Sequence, residues 1–106
     1  MTINDYQKEA LRTAGEADIV NGVLGLCGES GECADIVKKY LFQGHDLDTE
    51  HLAKELGDVA WYLAVTAYAI GYDLETVLRL NARKLRKRYP DGFDPEKSQN
   101  RKKGDI

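Results

Sequence analysis

Residues 29–58 read ESGECADIVKKYLFQGHDLDTEHLAKELGD, and this stretch decides the fold. It begins with the quartet ESGE at 29–32 and ends with the quartet ELGD at 55–58. Each quartet carries two carboxylates three positions apart, a spacing that places both on one face of an α-helix. The 22 residues between the quartets are enough to complete one helix, turn and begin another. The stretch therefore predicts two consecutive helices whose acidic faces meet.

Residues that cap or end helices occur on both sides of this pair, and the alternation of polar and apolar residues typical of strands is absent. Caps and breakers predict four helices: from Thr2 or Asn4 to about Ala14, from about Asp18 to Phe42, from Asp48 or Thr49 to Ile70, and from Asp73 to about Tyr89. Short connections between helices favour an all-α fold, a four-helix and mostly antiparallel bundle. We expect one helical domain to span residues 1–93 and a polar, flexible tail to span 94–106.

The second helix combines an apolar stripe with four glycines. The stripe comprises Val20, Val23, Leu24, Cys27, Ala34, Val37 and Leu41. We interpret Cys27 and Cys33 as small core residues, because they lack the spacing of a zinc site. Gly22, Gly25, Gly28 and Gly31 recur every three residues, and each costs a helix up to about 1 kcal/mol relative to alanine. Close helix packing or approach of the backbone to a ligand would offset that cost.

Composition restricts the classes of partner. The chain of 106 residues has a net charge of −3, with −7 over residues 1–72 and +4 over residues 73–89. No segment is basic enough to indicate binding of polymeric nucleic acid. The N-terminus lacks the basic and apolar regions of a signal peptide, and no apolar run approaches the ~20 residues of a membrane span. We therefore expect a cytoplasmic protein without membrane contact.

The four carboxylates lie on lines that continue apolar stripes, which distinguishes them from ordinary surface acids. Packing would withdraw Glu29, Glu32, Glu55 and Asp58 from bulk water, where uncompensated charges cost several kcal/mol each. Either cationic side chains neutralise them, for example Lys54 with Asp58, or a metal ion does. Oxygen ligands on rigid helices suit Mg²⁺, with Mn²⁺ as a second option.

The fourth helix carries a polar line of its own. Asn81, Lys84 and Arg88 share one face, where an amide, an ammonium and a guanidinium are suited to phosphates and a base or sugar edge. The alternative is that Lys84 and Arg88 lie along apolar surface and keep their charged ends in water.

Three runs together resemble the MazG-type nucleotide pyrophosphohydrolases of the all-α NTP pyrophosphatase group. They are GESGE at 28–32, ELGDVAWY at 55–62, and NARKL with RYP at 81–85 and 88–90. The resemblance covers roughly residues 18–93. It implies hydrolysis of a nucleoside triphosphate to the monophosphate and pyrophosphate with Mg²⁺, in a homo-oligomer that is a dimer or a tetramer.

The resemblance also assigns residues. It implies that Glu29, Glu32, Glu55 and Asp58 bind metal and act in catalysis, and that Asn81, Lys84 and Arg88 contact the nucleotide and its phosphates. Tyr62 and Trp61 are candidate aromatic contacts, although aromatic residues at helical spacing also build cores. We expect the first helix, which includes Tyr6, Gln7 and Thr13, to set base selectivity.

Two alternatives remain open from the sequence. One is phosphoribosyl-ATP pyrophosphohydrolase activity, which belongs to the same superfamily. The other is a non-catalytic helical assembly module, in which the acidic clusters only pair with basic side chains. The module predicts no metal-dependent stabilisation, whereas the enzyme predicts loss of hydrolysis when a carboxylate is neutralised.

Overall fold

The computed structural model of the chain describes residues 1–106 and contains five α-helices and no strands, which confirms the all-α class. The helices are α1 (Ile3–Leu11), α2 (Ile19–Phe42), α3 (Thr49–Ala69), α4 (Leu74–Arg88) and α5 (Pro95–Gln99). The four predicted helices are all present, although α1 ends three residues before the predicted Ala14. None of the helices combines the length and apolar character needed to cross a membrane.

The chain divides into two compact units, Met1–Leu74 and Glu75–Ile106. The first unit contains α1, α2 and α3. Within it α3 is the central element, because both α2 and α1 pack against it. Most of α4 and all of α5 belong to the second unit.

Side-chain caps fix the starts of the helices in the first unit. At α1, Thr2 Oγ1 accepts from the Asp5 backbone N–H at 3.0 Å, and the Asp5 carboxylate accepts from the Thr2 N–H at 3.0 Å. Asp18 caps α2 by accepting from the Val20 N–H at 2.7 Å, and Asp48 caps α3 by accepting from the His51 N–H at 3.0 Å. These bonds satisfy N–H groups that have no partner within the helix. They fix the residues at which α2 and α3 begin.

Two of the four glycines of α2 allow α2 and α3 to pack closely. A methyl group at Gly22 would overlap Thr66, and one at Gly25 would overlap the ring of Tyr62. Close packing therefore explains these two glycines. Gly28 and Gly31 have no such neighbours within 4 Å, so packing does not account for them.

The buried core of the first unit is small. It is built from Ala10, Ala64, Val65 and Leu74, with Trp61 among the partly buried side chains packed around it. The apolar stripe of α2 lies outside this core. Val20 and Leu24 are both 66% exposed, and Cys27 is exposed as well. The interpretation of Cys27 as a core residue is therefore wrong for the single chain, because α3 contacts α2 along its glycine face.

Gln7 ties α1 to the end of α3. It is 5% exposed. Its Nε2 donates to the carbonyl oxygens of Ala64 at 3.1 Å and Tyr72 at 3.2 Å, and its Oε1 accepts from the Leu74 N–H at 3.0 Å. The amide is thus fully used inside the fold, which makes Gln7 a structural residue rather than one that reads a base.

In the second unit, α4 is followed by Pro90 and by Gly92, whose φ of 94° is accessible to glycine at little cost. The segment predicted as a flexible tail contains the short helix α5, capped by Asp94. It also contains Asp105, which forms a salt bridge with Arg88 of α4 at 2.7 Å. The mobility of this segment stays a prediction.

Candidate metal centre

Three carboxylates from two helices converge in the first unit. Glu29 of α2 and Glu55 and Asp58 of α3 each offer an oxygen within 4.8 Å of the others. The convergence follows from the local sequence. The i,i+3 spacing puts Glu55 and Asp58 on one face of α3, and the glycine contact one to two turns before Glu29 holds α2 close to that face.

The electrostatics of the group indicate crowded negative charge. The pKa of Glu29 is raised, foremost by a hydrogen bond with the Glu55 carboxylate, then by burial, and then by the charges of Asp58, Glu55 and Glu32. Glu55 is only 17% exposed. Carboxylates in such a group favour sharing a proton or binding a cation.

No lysine or arginine of the first unit forms a salt bridge with this group. Four of its five lysines and arginines form salt bridges with other acids: Arg12 with Glu9, Lys38 and Lys39 with Asp35, and Lys54 with Glu50. The pairing of Lys54 with Asp58 that the sequence allowed is therefore absent. The charge on Glu29, Glu55 and Asp58 remains available for a metal ion.

The donor set fits a divalent cation with hard oxygen preferences. Ligands at about 2.1 Å from Mg²⁺ lie at most roughly 4.2 Å apart across the octahedron. The three oxygens lie within 4.8 Å of one another, which is close to that limit. Glu29, Glu55 and Asp58 thus match the chemistry expected of the site.

Glu32 stands apart from the other three predicted ligands. It is exposed on α2 and lies outside the group of converging oxygens. Its charge still raises the pKa of Glu29 and, to a smaller degree than Asp35, that of Lys39. Its role as a ligand stays a prediction.

Sequence reasoning misses His51. Its Nε2 lies 3.1 Å from Glu55 Oε1, so it contacts the group directly. The sequence spacing could have predicted this contact, because His51 precedes Glu55 by four positions on the same helix. Tyr6 of α1 also approaches the site: burial, and then the charge of Asp58, raises the pKa of its hydroxyl.

The two candidate aromatic contacts are engaged in packing. Trp61 Nε1 donates to Thr13 Oγ1 at 3.0 Å, which links α3 to the end of α1. Tyr62 lies against Gly25, and the two rings meet edge to face with centroids 4.9 Å apart. A further role of Trp61 and Tyr62 in nucleotide binding stays a prediction.

The polar line of the fourth helix lies in the second unit. Asn81 and Lys84 are exposed on α4, as substrate contacts need to be. Arg88 is more buried and holds Asp105. The assignment of these three residues to substrate binding stays a prediction.

Comparison with known proteins supports the resemblance. Residues 21–93 match the MazG nucleotide pyrophosphohydrolase domain. The chain is 36% identical over 114 aligned residues to the Gene 37 protein of Mycobacterium phage L5, and the alignment covers 95% of this chain and all of the phage protein. No solved structure matches the chain. The family match spans more than half of the chain and includes all three converging carboxylates. The chain therefore belongs to the MazG nucleotide pyrophosphohydrolase family.

Proposed function

We propose that the protein is a divalent-metal-dependent nucleoside triphosphate pyrophosphohydrolase, which releases pyrophosphate and leaves the nucleoside monophosphate. One observation carries the proposal: Glu29, Glu55 and Asp58 converge with no lysine or arginine of their unit to neutralise them. A structural ion pair would include such a partner. Control of a cytoplasmic nucleotide pool is the role that this reaction serves.

Glu29, Glu55 and Asp58 would hold Mg²⁺ or Mn²⁺, with Glu32 as a fourth ligand from the next turn of α2. When bound, the ion supplies charge neutralisation to the phosphates and a water of lowered pKa that attacks the α-phosphorus. The protein positions the ligands through the α2–α3 packing. The unfavourable free energy of bringing the carboxylates together is therefore part of folding and not of substrate binding.

We propose Glu55 as the general base, because its carboxylate contacts two groups that can share a proton with it. Its Oε1 contacts His51, and its other interaction is with the carboxyl group of Glu29. A proton taken from the attacking water can be shared along this chain of three groups.

Substrate contacts complete the proposal. Lys84 and Arg88 supply positive charge for the phosphates, and Asn81 supplies an amide for hydrogen bonds to the nucleotide. Tyr62 and Trp61 offer ring surface for the base.

Self-association is part of the proposed function. The stripe on α2 leaves apolar side chains in water, among them Val20, Leu24, Leu41 and Phe42. Extended apolar patches of this kind are typical of protein–protein interfaces. We propose that a second copy of the chain covers this stripe in a dimer or tetramer.

Product analysis tests the reaction class. Ribo- and deoxyribonucleoside triphosphates are incubated with the protein in Mg²⁺ or in chelator, and pyrophosphate and monophosphate are quantified together. We expect equal amounts of both products in Mg²⁺ and neither in chelator. Release of single phosphate groups would contradict the proposal. Turnover of phosphoribosyl-ATP alone would identify the alternative enzyme.

A further inference from the structure

The second unit contains a basic pocket that the catalytic proposal does not use in full. Its volume is about 580 Å³, and it lies between α4 and the segment that follows it. Eight lining side chains are lysine or arginine, and Asp105 is the only acidic side chain among them. Concave surfaces lined by one sign of charge concentrate ions of the opposite sign. The pocket therefore has the character of an anion-binding site.

An anion from the chain itself already occupies part of this pocket. Asp105 accepts two hydrogen bonds from Arg88, from Nε at 2.8 Å and from Nη2 at 2.7 Å. Arg88 is only 9% exposed, so this carboxylate takes the side of the guanidinium that could bind an anion. The paired N–H groups of arginine fit a phosphate in the same bidentate manner as a carboxylate.

Two further cations act on the same carboxylate. The pKa of Asp105 is lowered, foremost by its hydrogen bonds with Arg88, and also by the charges of Arg88, Arg101 and Lys84. Lys84 lies one turn before Arg88 on α4, whereas Arg101 comes from the segment after α5. Residues from both sides of the pocket thus converge on one negatively charged group.

We infer that Asp105 is an internal competitor at this pocket, which holds Arg88 until a phosphate group of the nucleotide displaces it. The identity of the ligand as the polyphosphate of a nucleotide rests on the proposed function. The competition between Asp105 and phosphate rests on the geometry of the pocket alone. The inference adds Arg101 to the residues that bind substrate and gives the segment after α5 a regulatory role.

A purely structural role for Asp105 and a competing role predict opposite changes in anion affinity when the carboxylate is removed. If the salt bridge only fastened the segment to α4, its loss would loosen the pocket and weaken anion binding. If Asp105 competes with phosphate, its loss frees Arg88 and removes a repelling charge, so anion binding becomes tighter.

The test is calorimetric titration of the full chain with inorganic triphosphate in chelator. The variant is Asp105→Asn. The matched control is Asp91→Asn, which removes one negative charge from the same unit but from a residue that does not line the pocket. We expect Asp105→Asn to bind triphosphate about tenfold more tightly than the control, because a charged competitor is removed. Equal or weaker binding by Asp105→Asn would overturn the inference.

A double variant tests whether the gain in triphosphate affinity depends on Arg88. Adding Arg88→Gln to Asp105→Asn is expected to abolish the gain, with the helical circular dichroism retained. A gain that persists without Arg88 would overturn the inference. Tighter triphosphate binding without nucleotide hydrolysis would support the inference and count against the proposed function. Nucleotide hydrolysis together with unchanged triphosphate binding by Asp105→Asn would support the proposed function and overturn the inference.

Discussion

Glu55 lies between two groups that contact its carboxylate. On one side His51 Nε2 is 3.1 Å away, and on the other the carboxyl group of Glu29 shares a hydrogen bond with it. The pKa of Glu29 is raised foremost by that hydrogen bond, then by burial, and then by the charges of Asp58, Glu55 and Glu32. The proposed metal ion would offset this crowding, so the stability of the metal-free fold and the proposed function oppose each other at this residue.

Residue spacing predicts part of this site and fails for the rest. The i,i+3 rule identifies Glu29, Glu55 and Asp58 as members of acidic faces, and the structure brings these three together. The same rule treats Glu32 as equivalent, yet Glu32 lies outside the group. The difference depends on how α2 is rotated against α3, and contacts at Gly22 and Gly25 set that rotation. A sequence read without tertiary contacts cannot supply it.

Acidification should release Asp105 from Arg88. The pKa of Asp105 is lowered in the fold, chiefly by hydrogen bonds with Arg88, so the salt bridge contributes its stability fully above the ordinary value of 3.8. That contribution is lost as the pH falls through the lowered pKa. Carbon NMR of the Asp105 carboxylate should give a titration midpoint below 3.8, and Arg88→Gln should raise it. A midpoint at or above 3.8 in the parent would show that the salt bridge is absent in solution.

At the scale of the element, α2 presents different faces to different partners. Gly22 and Gly25 contact α3, Glu29 joins the acidic group, and Val20 and Leu24 are exposed. The helix starts were predictable because Thr2, Asp18 and Asp48 are strong capping residues. The sequence could not predict which glycines of α2 contact α3, because all four have the same spacing. Only the position of α3 distinguishes them.

Alanine substitution should separate the two classes of glycine. Gly25→Ala forces a methyl group into the ring of Tyr62 and is expected to lower the free energy of unfolding by about 1 to 3 kcal/mol. Gly28→Ala meets open space and is expected to raise it by about 0.5 to 1 kcal/mol through helix propensity. Urea unfolding followed by circular dichroism in chelator measures both values. Changes of the same sign in the two variants would contradict the proposed packing of α2 on α3.

At the scale of the whole molecule, burial within one chain is limited. The fully buried apolar residues are Ala10, Ala64, Val65, Ala67 and Leu74, of which three are alanines. Small side chains contribute little hydrophobic free energy, which scales with the apolar area removed from water. The sequence predicted the apolar stripe of α2 correctly as a pattern. It did not indicate that the stripe would remain exposed in a single chain.

Charge on the α2 stripe should dissociate the proposed oligomer. Leu24 is 66% exposed in the single chain, so Leu24→Lys is expected to change the stability of the isolated chain by no more than about 0.5 kcal/mol. In an apolar interface the same lysine would lose its hydration without gaining a partner. Sedimentation velocity should therefore find the parent as a dimer or tetramer and Leu24→Lys as a monomer.

The control for this experiment is Ile106→Lys, which places the same charge at an exposed apolar residue outside α2. It is expected to sediment like the parent. A monomeric parent at micromolar concentration would contradict the proposed interface.

The central claim is that the carboxylates joining α2 and α3 are the site of hydrolysis, and a pair of glutamates on α3 tests it most directly. Glu55→Gln removes a charge from the acidic group, whereas Glu50→Gln removes one from an exposed side chain paired with Lys54. Pyrophosphate release in Mg²⁺ should fall at least 100-fold in Glu55→Gln and stay near the parent rate in Glu50→Gln, because only Glu55 acts on the reacting groups. In chelator, Glu55→Gln should unfold at a urea concentration equal to or above that of the parent, since a repelling charge is lost. Normal turnover by Glu55→Gln would contradict the claim.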